Sequence, residues 1–279
     1  MIGDFPVSFI KMSGTGNDFI VMDHRRPFIP VADQPEFARK ICRRRFSVGA
    51  DGLILIEGSS RADFSWRFYN ADGSVAEMCG NGARCAARYA FLHGLAGFRM
   101  RFETLAGIIE AEVLEEGGDV RVCLTAPFDF RLNLLLAFAG RERTVHYVNT
   151  GVPHAVVFVD DEETPVREWG REIRFHPRFQ PAGTNVNFIR FLDGGVLKVR
   201  TYERGVEDET MACGTGAVAS ALIAVALGKA SSPVQCITSG GEGLTITFDL
   251  QGGPAAENVF LQGPARIIYE GKLTAESLL

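Results

Sequence analysis

The second half of this 279-residue sequence repeats a series of landmarks from the first half. Cys79-Gly-Asn-Gly returns as Cys213-Gly-Thr-Gly, 134 residues later. The same or nearly the same spacing relates "TGND" to "TGVP", "GADGLI" to "GTNVNF", "CLTAP" to "FLQGP", and the glycine at 94 to the glycine at 228. This period is far longer than the roughly 20–50 residues of solenoid repeats. The chain is therefore predicted to contain a duplicated domain.

Each half is predicted to be a β-rich α/β (α+β) domain with one principal helix. Short segments rich in Val, Ile and Phe alternate with Gly and Pro turns, a pattern typical of strands. The predicted strands are 19–23, 53–57, 64–70, 107–116, 119–124, 154–160, 187–192, 196–203, 244–250 and 265–271. A helix is expected from each Cys-Gly-x-Gly to Gly94 or Gly228, because glycine favours the left-handed conformation that ends helices. The domain carrying Cys79 is expected at 1–130 and the domain carrying Cys213 at 131–264.

Composition narrows the function classes. A net charge of −5 argues against nucleic acid as the main partner, because phosphate binding needs a basic surface. The opening "MIGDFPVSFIKMSG" lacks the pattern of a secretion signal, and the apolar stretch 217–227 is too short to cross a bilayer. Six cysteines without a CxxC indicate neither a zinc site nor a disulfide framework. A cytoplasmic protein with reduced thiols and no metal is expected.

The two repeated cysteines are candidate acid/base groups. The N-terminus of a helix carries unpaired N–H groups and the positive end of the helix dipole, which favour a thiolate. The glycines beside each cysteine leave N–H groups open to a substrate carboxylate. One thiolate and one thiol on opposite faces of a carbon would remove a proton from one side and return one to the other. The sequence thus predicts a symmetric two-thiol site, in a cleft between the two domains, that inverts a stereocentre.

The other four cysteines are interpreted as inert apolar residues; they are Cys42, Cys85, Cys123 and Cys236. Three asparagines near strand ends are candidate substrate contacts, although asparagine also forms turns: Asn17, Asn70 and Asn185. For Asp18, a side-chain cap on a turn is the favoured interpretation.

Three further polar residues have a structural and a functional interpretation. His154 follows a proline and is more often a structural histidine than a catalyst at such a place. Glu203 and Arg204 come ten and nine residues before Cys213 and could form an exposed ion pair. An arginine directed into a cleft is, however, a natural partner for a second substrate carboxylate.

Six segments together resemble the diaminopimelate epimerase family over nearly the whole chain. They are "KMSGTGNDFIVMD", "GADGLI", "FYNADGSVAEMCGNGARC", "NTGVPHAV", "GTNVNF" and "TYERGVEDETMACGTGA". The resemblance implies two pseudo-twofold-related lobes, each a sheet around a central helix, with a cofactor-independent site between them. It also implies interconversion of LL- and meso-diaminopimelate, a step toward lysine and peptidoglycan, by a homodimer in the cytoplasm.

The resemblance assigns roles to residues of this chain. Cys79 and Cys213 match the acid/base thiols, and His154 and Glu203 match positions that assist catalysis. The matches to substrate-binding positions are Asn17, Asn70, Gly80, Asn81, Asn185, Glu203, Arg204, Gly214 and Thr215. A final segment, 265–279, is expected to return to the first lobe. The family often has Asn where this chain has Val152 and Gln where it has Gly52, so some substrate contacts are expected to differ.

Three alternatives stay open at this point. A proline or hydroxyproline racemase of the same fold would share the paired cysteines, but such relatives usually carry His where this chain has Asn81. A non-catalytic amino-acid-binding module would tolerate Ser at positions 79 and 213. A thiol redox protein would need a long-range Cys79–Cys213 disulfide, since the chain has no CxxC.

Overall fold

Strands make up most of the regular structure in the computed structural model, which describes residues 5–114, 118–250 and 256–279. In chain order the strands are β1 (Val7–Gly14), β2 (Asn17–Asp23), β3 (Gly52–Glu57), β4 (Phe64–Asn70), β5 (Arg99–Thr104), β6 (Gly107–Val113), β7 (Asp119–Cys123), β8 (Phe128–Phe138), β9 (Arg141–Asn149), β10 (Pro153–Phe158), β11 (Asn185–Phe191), β12 (Leu197–Glu203), β13 (Asp208–Thr210), β14 (Val234–Ile237), β15 (Gly243–Leu250), β16 (Ala256–Pro264) and β17 (Arg266–Leu273).

The helices are fewer, as the sequence predicts for a β-rich mixed α/β fold. They are α1 (Gln34–Ile41), α2 (Gly80–Leu92), α3 (Val166–Arg174) and α4 (Gly214–Ala226), with short 3₁₀ turns at Val31–Asp33, Pro177–Phe179, Asp193–Gly195 and Ala275–Leu278. In the described part of the chain, no helix is both long and apolar enough to cross a membrane.

The chain divides into two compact units: unit 1 comprises Met1–Val122 and Gly263–Leu279, and unit 2 comprises Cys123–Gln262. In unit 1, β17 pairs with β1, so the end of the chain lies beside its first strand. From β1 onward the pairings run antiparallel to β2, parallel to β3, antiparallel to β4, parallel to β5 and antiparallel to β6. Helix α2 packs against β1, β2, β3 and β6.

Unit 2 repeats this order of pairings. From β9 the neighbours run antiparallel to β10, parallel to β11, antiparallel to β12, parallel to β14 and antiparallel to β15. Helix α4 is buried along Gly216–Ala224 and is apolar on all sides, as a helix in the interior of a domain must be. That the two units are duplicated domains with limits at 130/131 and 264/265 stays a prediction.

The predicted helix starts and stops are confirmed. Helices α2 and α4 begin directly after Cys79 and Cys213. Gly94 and Gly228 follow their ends with φ angles of 65° and 69°. A glycine adopts this left-handed conformation without the steric cost that a Cβ atom imposes.

Most predicted strands agree with the structure to within two residues at each end. The strand predicted at 107–116 is one that does not, because β6 ends at Val113, and Glu115 and Glu116 lie outside the described residues. Several elements were not predicted; they are β1, β5, β8, β9, β13, β14, β16 and α3.

Candidate functional site

Cys79 lies at the start of α2 in an extended conformation, with φ −147° and ψ 119°. Its carbonyl oxygen accepts the first helical hydrogen bond, from the backbone N–H of Ala83 at 2.8 Å. Its thiol is half-buried and reduced. The residue before a helix is usually Ser, Thr, Asp or Asn, whose side chain accepts a hydrogen bond from one of the first N–H groups. Here that residue is cysteine, and its side chain makes no such capping hydrogen bond.

The neighbouring polar residues of unit 1 form one hydrogen-bonded chain. The Nδ2 atom of Asn81 donates to Oδ1 of Asn17 at 2.7 Å, and Nδ2 of Asn17 donates to Oδ2 of Asp51 at 2.9 Å. The guanidinium of Arg84 donates to Oδ1 of Asn81 at 2.8 Å and to Oγ1 of Thr15 at 2.7 Å. Arg84 is fully buried. These bonds fix both amides and bring two predicted site residues, Asn17 and Asn81, into contact.

Asp18 has a different role from the turn cap that the sequence favours, because it lies within β2 and is part of an ion-pair network. Its carboxylate lies 2.8 Å from Nζ of Lys11 and 2.6 Å from Nη2 of Arg44. Burial acts to raise the pKa of Asp18, but hydrogen bonds and charge from Arg44 and Lys11 outweigh burial and lower it. Because its carboxylate is held in the ionised form, Asp18 stabilises the start of β2, where Asn17 lies.

Asn70 is the last residue of β4 and is exposed. Its Nδ2 atom donates to Oγ of Ser74 at 3.0 Å, so this side-chain hydrogen bond is local and does not join the Asn17–Asn81 pair. Opposite it in the ladder is Gly52. A Cβ atom at position 52 would lie 2.7 Å from the carbonyl oxygen of Tyr69. The close approach of β4 therefore leaves no room for a side chain at position 52.

Cys213 holds the matching place in unit 2, at the start of α4 with φ −131° and ψ 106°. Its carbonyl oxygen accepts from the backbone N–H of Ala217 at 3.0 Å, and its thiol is also half-buried. The sulfur lies 3.5 Å from Oγ1 of Thr215, two residues into the helix. A hydroxyl at this distance can hydrogen-bond a thiol or a thiolate.

His154 joins Cys213 through Thr215. The Nε2 atom of His154 lies 3.0 Å from Oγ1 of Thr215, and its Nδ1 atom lies 3.1 Å from Nδ2 of Asn187. Burial, with the nearby positive charge of Arg204, lowers the pKa of His154 to about 3. The ring is therefore neutral at physiological pH, with one nitrogen protonated.

Asn185, the first residue of β11, fixes the segment that carries Arg204. Its Nδ2 atom donates to the carbonyl oxygen of Pro153 at 3.0 Å, and its Oδ1 atom accepts from the backbone N–H of Arg204 at 2.8 Å. The guanidinium of Arg204 is partly exposed and donates to the carbonyl oxygen of Ala182 at 3.0 Å. Asn185 thus orients the backbone that precedes His154 and the backbone of Arg204 together.

Glu203 ends β12, as predicted, and accepts a hydrogen bond from Oγ1 of Thr210 at 2.9 Å. Burial raises the pKa of Glu203, and the bond from Thr210 opposes that effect only in part. A carboxyl group with a raised pKa gains a proton more readily than an exposed glutamate.

Sequence reasoning missed several residues that hold these side chains in place: Thr15, Asp51, Arg84, Asn187, Thr201 and Thr210. Two signals were available. Arg84 is a charged residue within the alanine-rich helix that follows Cys79. Asn187 stands two residues after Asn185, so a strand there places both side chains on one face.

Comparison with known proteins decides the family. A family model described as diaminopimelate epimerase matches residues 9–127 and 146–268. The chain is 48% identical over 282 residues to the diaminopimelate epimerase of Aquifex aeolicus (strain VF5), across 98% of this chain and 99% of that relative. The chain belongs to the diaminopimelate epimerase family. It is also 41% identical over 283 residues to the diaminopimelate epimerase of Archaeoglobus fulgidus, across 98% of both chains.

Solved structures share the fold of this chain at low sequence identity. A phenazine biosynthesis protein of the PhzF family from Bacillus anthracis matches with a TM-score of 0.72 and 16% identity, over 97% of this chain and 100% of that one. A hydroxyproline epimerase from Agrobacterium vitis, with bound trans-4-hydroxy-L-proline, matches with a TM-score of 0.67 and 16% identity, over 99% and 94%. At these identities the likeness shows the fold alone.

Proposed function

We propose that this chain interconverts LL- and meso-2,6-diaminopimelate through two cysteines and without a cofactor. The observation that carries the proposal is the repeated placement of a half-buried, reduced cysteine directly before a 13-residue helix. Family membership, including 48% identity to the diaminopimelate epimerase of Aquifex aeolicus, supports the substrate. The epimerase belongs to the isomerase class.

The proposed reaction exchanges one proton for another. A thiolate takes the α-hydrogen, so that an S–H bond forms and the electron pair of the broken C–H bond stays on the α-carbon. The second thiol then gives its proton to the opposite face of that carbon and becomes the thiolate. The N–H groups at the start of α2 or α4 would bind the substrate α-carboxylate, whose negative charge otherwise opposes loss of the proton.

The remaining roles follow the sequence assignment. We propose that Cys79 and Cys213 are the acid/base pair and that His154 and Glu203 assist them. The proposed substrate contacts are Asn17, Asn70, Gly80, Asn81, Asn185, Glu203, Arg204, Gly214 and Thr215. The partly exposed guanidinium of Arg204 suits the carboxylate at the distant end of the substrate, because arginine binds carboxylates through paired donors.

Proline-type substrates are the second candidate, since a hydroxyproline epimerase has the same fold. The residue at position 81 argues against them. Proline and hydroxyproline racemases usually have histidine there, whereas this chain has Asn81, whose amide is hydrogen-bonded to Asn17 and Arg84.

One experiment distinguishes the two candidate functions. Reduced protein and the variant Arg204→Met are assayed with LL-diaminopimelate, L-proline and trans-4-hydroxy-L-proline by chiral chromatography.

We expect inversion of diaminopimelate by the native protein and a loss of roughly a hundredfold or more in kcat/KM for Arg204→Met, from removal of a charged contact. Equal losses on diaminopimelate and proline would contradict the assignment. Binding of diaminopimelate without inversion, retained after Cys79→Ser and Cys213→Ser, would instead support a binding module.

A cytoplasmic homodimer acting in the synthesis of lysine and peptidoglycan precursors completes the proposal. Sedimentation of the purified protein tests the dimer, and loss of growth on medium without lysine after deletion of its gene tests the pathway. The proposed duplication of the two units is supported by their shared order of strand pairings.

A further inference from the structure

Strands β9 and β10 of unit 2 separate part-way along their length, and the residues beyond the separation line a cavity of about 590 Å³. Within the continuously described stretch 118–250, their antiparallel ladder ends at the His146–Val156 pair. Beyond that pair, β9 continues to Arg141 beside β8, and β10 continues to Phe158 beside β11. Residues of α3 and of the segment that follows α4 complete the lining.

This cavity is separate from the proposed acid/base residues of unit 2. Lys229, which follows the end of α4, lines the cavity, whereas Cys213 stands directly before the start of the same helix. A helix rises about 1.5 Å per residue, so the 13 residues of α4 place its two ends roughly 20 Å apart. Neither Cys213 nor His154 lines the cavity.

Three basic side chains line the cavity, and none of them forms an ion pair with another residue of the described chain: Arg141, Arg143 and Lys229. Arginines on the neighbouring strands do form such pairs, as Arg190 does with Glu162. The guanidinium carbon of Arg143 instead lies 4.1 Å from the ring centre of Trp169, and Nζ of Lys229 lies 5.4 Å from that of Phe158. The Nε atom of Arg143 is buried and has no hydrogen-bond partner among the described residues.

His146 adds a neutral hydrogen-bond donor at the point where the strands separate. The backbone N–H of Asn133 can only donate, and it lies 3.2 Å from Nδ1 of His146, so Nδ1 is the acceptor. Burial, with the nearby positive charge of Lys229, lowers the pKa of His146 to about 4. The ring is therefore neutral at physiological pH and carries its hydrogen on Nε2. No acceptor for this hydrogen is found in the described part of the chain.

We propose that this cavity binds a small anion with phosphate or carboxylate groups, through Arg143, Lys229 and the Nε2–H of His146. Arginine and lysine bind such oxygens through charge-assisted hydrogen bonds. Burial, with the positive charge of Arg141, lowers the pKa of Arg143. A bound anion offsets the repulsion between these two arginines.

Two acidic side chains, Asp160 and Asp161, also line the cavity, but both are exposed. The carboxylate of Asp161 already accepts a hydrogen bond from the backbone N–H of Glu163 at 2.8 Å. His146, in contrast, is buried, and Arg143 is half-buried. The donors therefore lie deeper than the carboxylates, which favours an anion over a cation or a zwitterion as the ligand.

Trp169 lines the cavity and gives a direct readout of binding. The chain has two tryptophans, so in the variant Trp66→Phe the emission of Trp169 is observed alone. This variant is titrated with pyrophosphate, citrate and the zwitterion L-lysine at constant ionic strength. We expect a saturable change with pyrophosphate or citrate, and the tighter binder identifies the preferred acidic group. No response to either anion, or an equal response to L-lysine, would overturn the proposal.

Substitutions of the basic residues test the assignment, with affinities measured by calorimetry because Arg143 itself stacks on Trp169. Arg143→Met and Lys229→Met should each weaken binding about tenfold, because each removes a charged donor. Arg167→Met is the matched control, since it removes the same charge from an exposed side chain of α3 outside the cavity. It should change the affinity less than about twofold, because salt screens exposed charges. Equal weakening in all three variants would reduce the effect to net charge and overturn the proposal.

The ring of His146 gives a second measurement that leaves the basic residues intact. Long-range ¹H–¹⁵N correlations of ¹⁵N-histidine protein are assigned with His146→Gln. The spectrum should show hydrogen on Nε2 of His146, and the tighter-binding anion should shift these signals but not those of His24, which is buried in unit 1. Hydrogen on Nδ1, or unshifted signals at saturation, would overturn the proposal. None of these measurements uses diaminopimelate, so the inference stands or fails independently of the proposed function.

Discussion

Gly216 lies so close to Asn187 that a methyl group at position 216 would overlap the amide oxygen of Asn187. The same methyl group would lie 3.2 Å from Oγ1 of Thr201. The second glycine of the Cys213 motif is therefore required by packing against β11 and β12, in addition to leaving the helix start uncovered. Gly82, at the matching place in unit 1, has more room: a Cβ atom there would lie 3.4 Å from Ile54.

Because of this difference, replacing glycine by alanine is expected to destabilise the protein at position 216 but not at position 82. Gly216→Ala should cost about 1–3 kcal/mol of stability by overpacking and should displace Asn187, slowing turnover. Gly82→Ala should be near neutral, because alanine favours the helix by up to about 1 kcal/mol and its Cβ makes ordinary contacts. Urea unfolding and kcat with LL-diaminopimelate check both variants. Equal effects at the two positions would contradict the packing argument.

Two buried histidines predict a loss of stability in mild acid. Burial lowers the pKa of His146 to about 4 and that of His154 to about 3, from an ordinary value of 6.5. Below pH 6.5 the unfolded chain binds protons that the folded chain excludes, so the free energy of unfolding falls as pH falls. Each histidine contributes a slope of about 1 kcal/mol per pH unit. Urea titrations between pH 5 and 7 measure it.

Matched variants show which histidines produce this pH dependence of the free energy of unfolding. His154→Gln and His146→Gln should each reduce it by about half, and the double variant should leave little of it in this range. The raised pKa of Glu203 works in the opposite direction, since protonation at low pH stabilises the folded form. A slope that is unchanged in both single variants would show that other groups control the acid response.

The buried guanidinium of Arg84 predicts that even a conservative substitution is costly. The variant Arg84→Lys keeps the positive charge, but the lysine ammonium cannot reach both Asn81 and Thr15. The side-chain oxygen of one of these two residues then loses its buried hydrogen bond. We expect a stability loss of about 2–3 kcal/mol and a raised KM, because Asn81 in turn holds Asn17. Arg39→Lys, in an exposed ion pair with Glu36, should cost less than about 1 kcal/mol. Similar losses in both variants would count against the positioning role.

The features that could be predicted from the sequence are those with local signals. The starts of α2 and α4 follow from Cys-Gly-x-Gly, and their ends follow from Gly94 and Gly228, which need a positive φ. Strands such as β3 and β4 carry continuous or alternating apolar residues. The strand β8 has no such clean pattern: Asp129 and Asn133 adopt positive φ, and its register with β9 shifts near both residues.

The polar networks could not be predicted, because they join residues distant in the sequence. Arg84 bonds Thr15 across 69 positions, and His154 meets Thr215 across 61. Their partners depend on the register of strands and on which face of each helix is buried. The repeated spacing identified Cys79 and Cys213 as candidates, and the family resemblance added His154, but only the fold shows that Asn187 and Thr215 connect His154 to Cys213.

The most direct test of the central claim is exchange at the α-carbon of LL-diaminopimelate in D₂O, followed by NMR with freshly reduced protein. Native protein, Cys79→Ala and Cys213→Ala are compared. The proposed mechanism predicts that deuterium enters with inversion in the native protein and that neither single variant completes inversion. Full inversion by either variant, or no exchange by the reduced native protein, would contradict two-cysteine epimerisation.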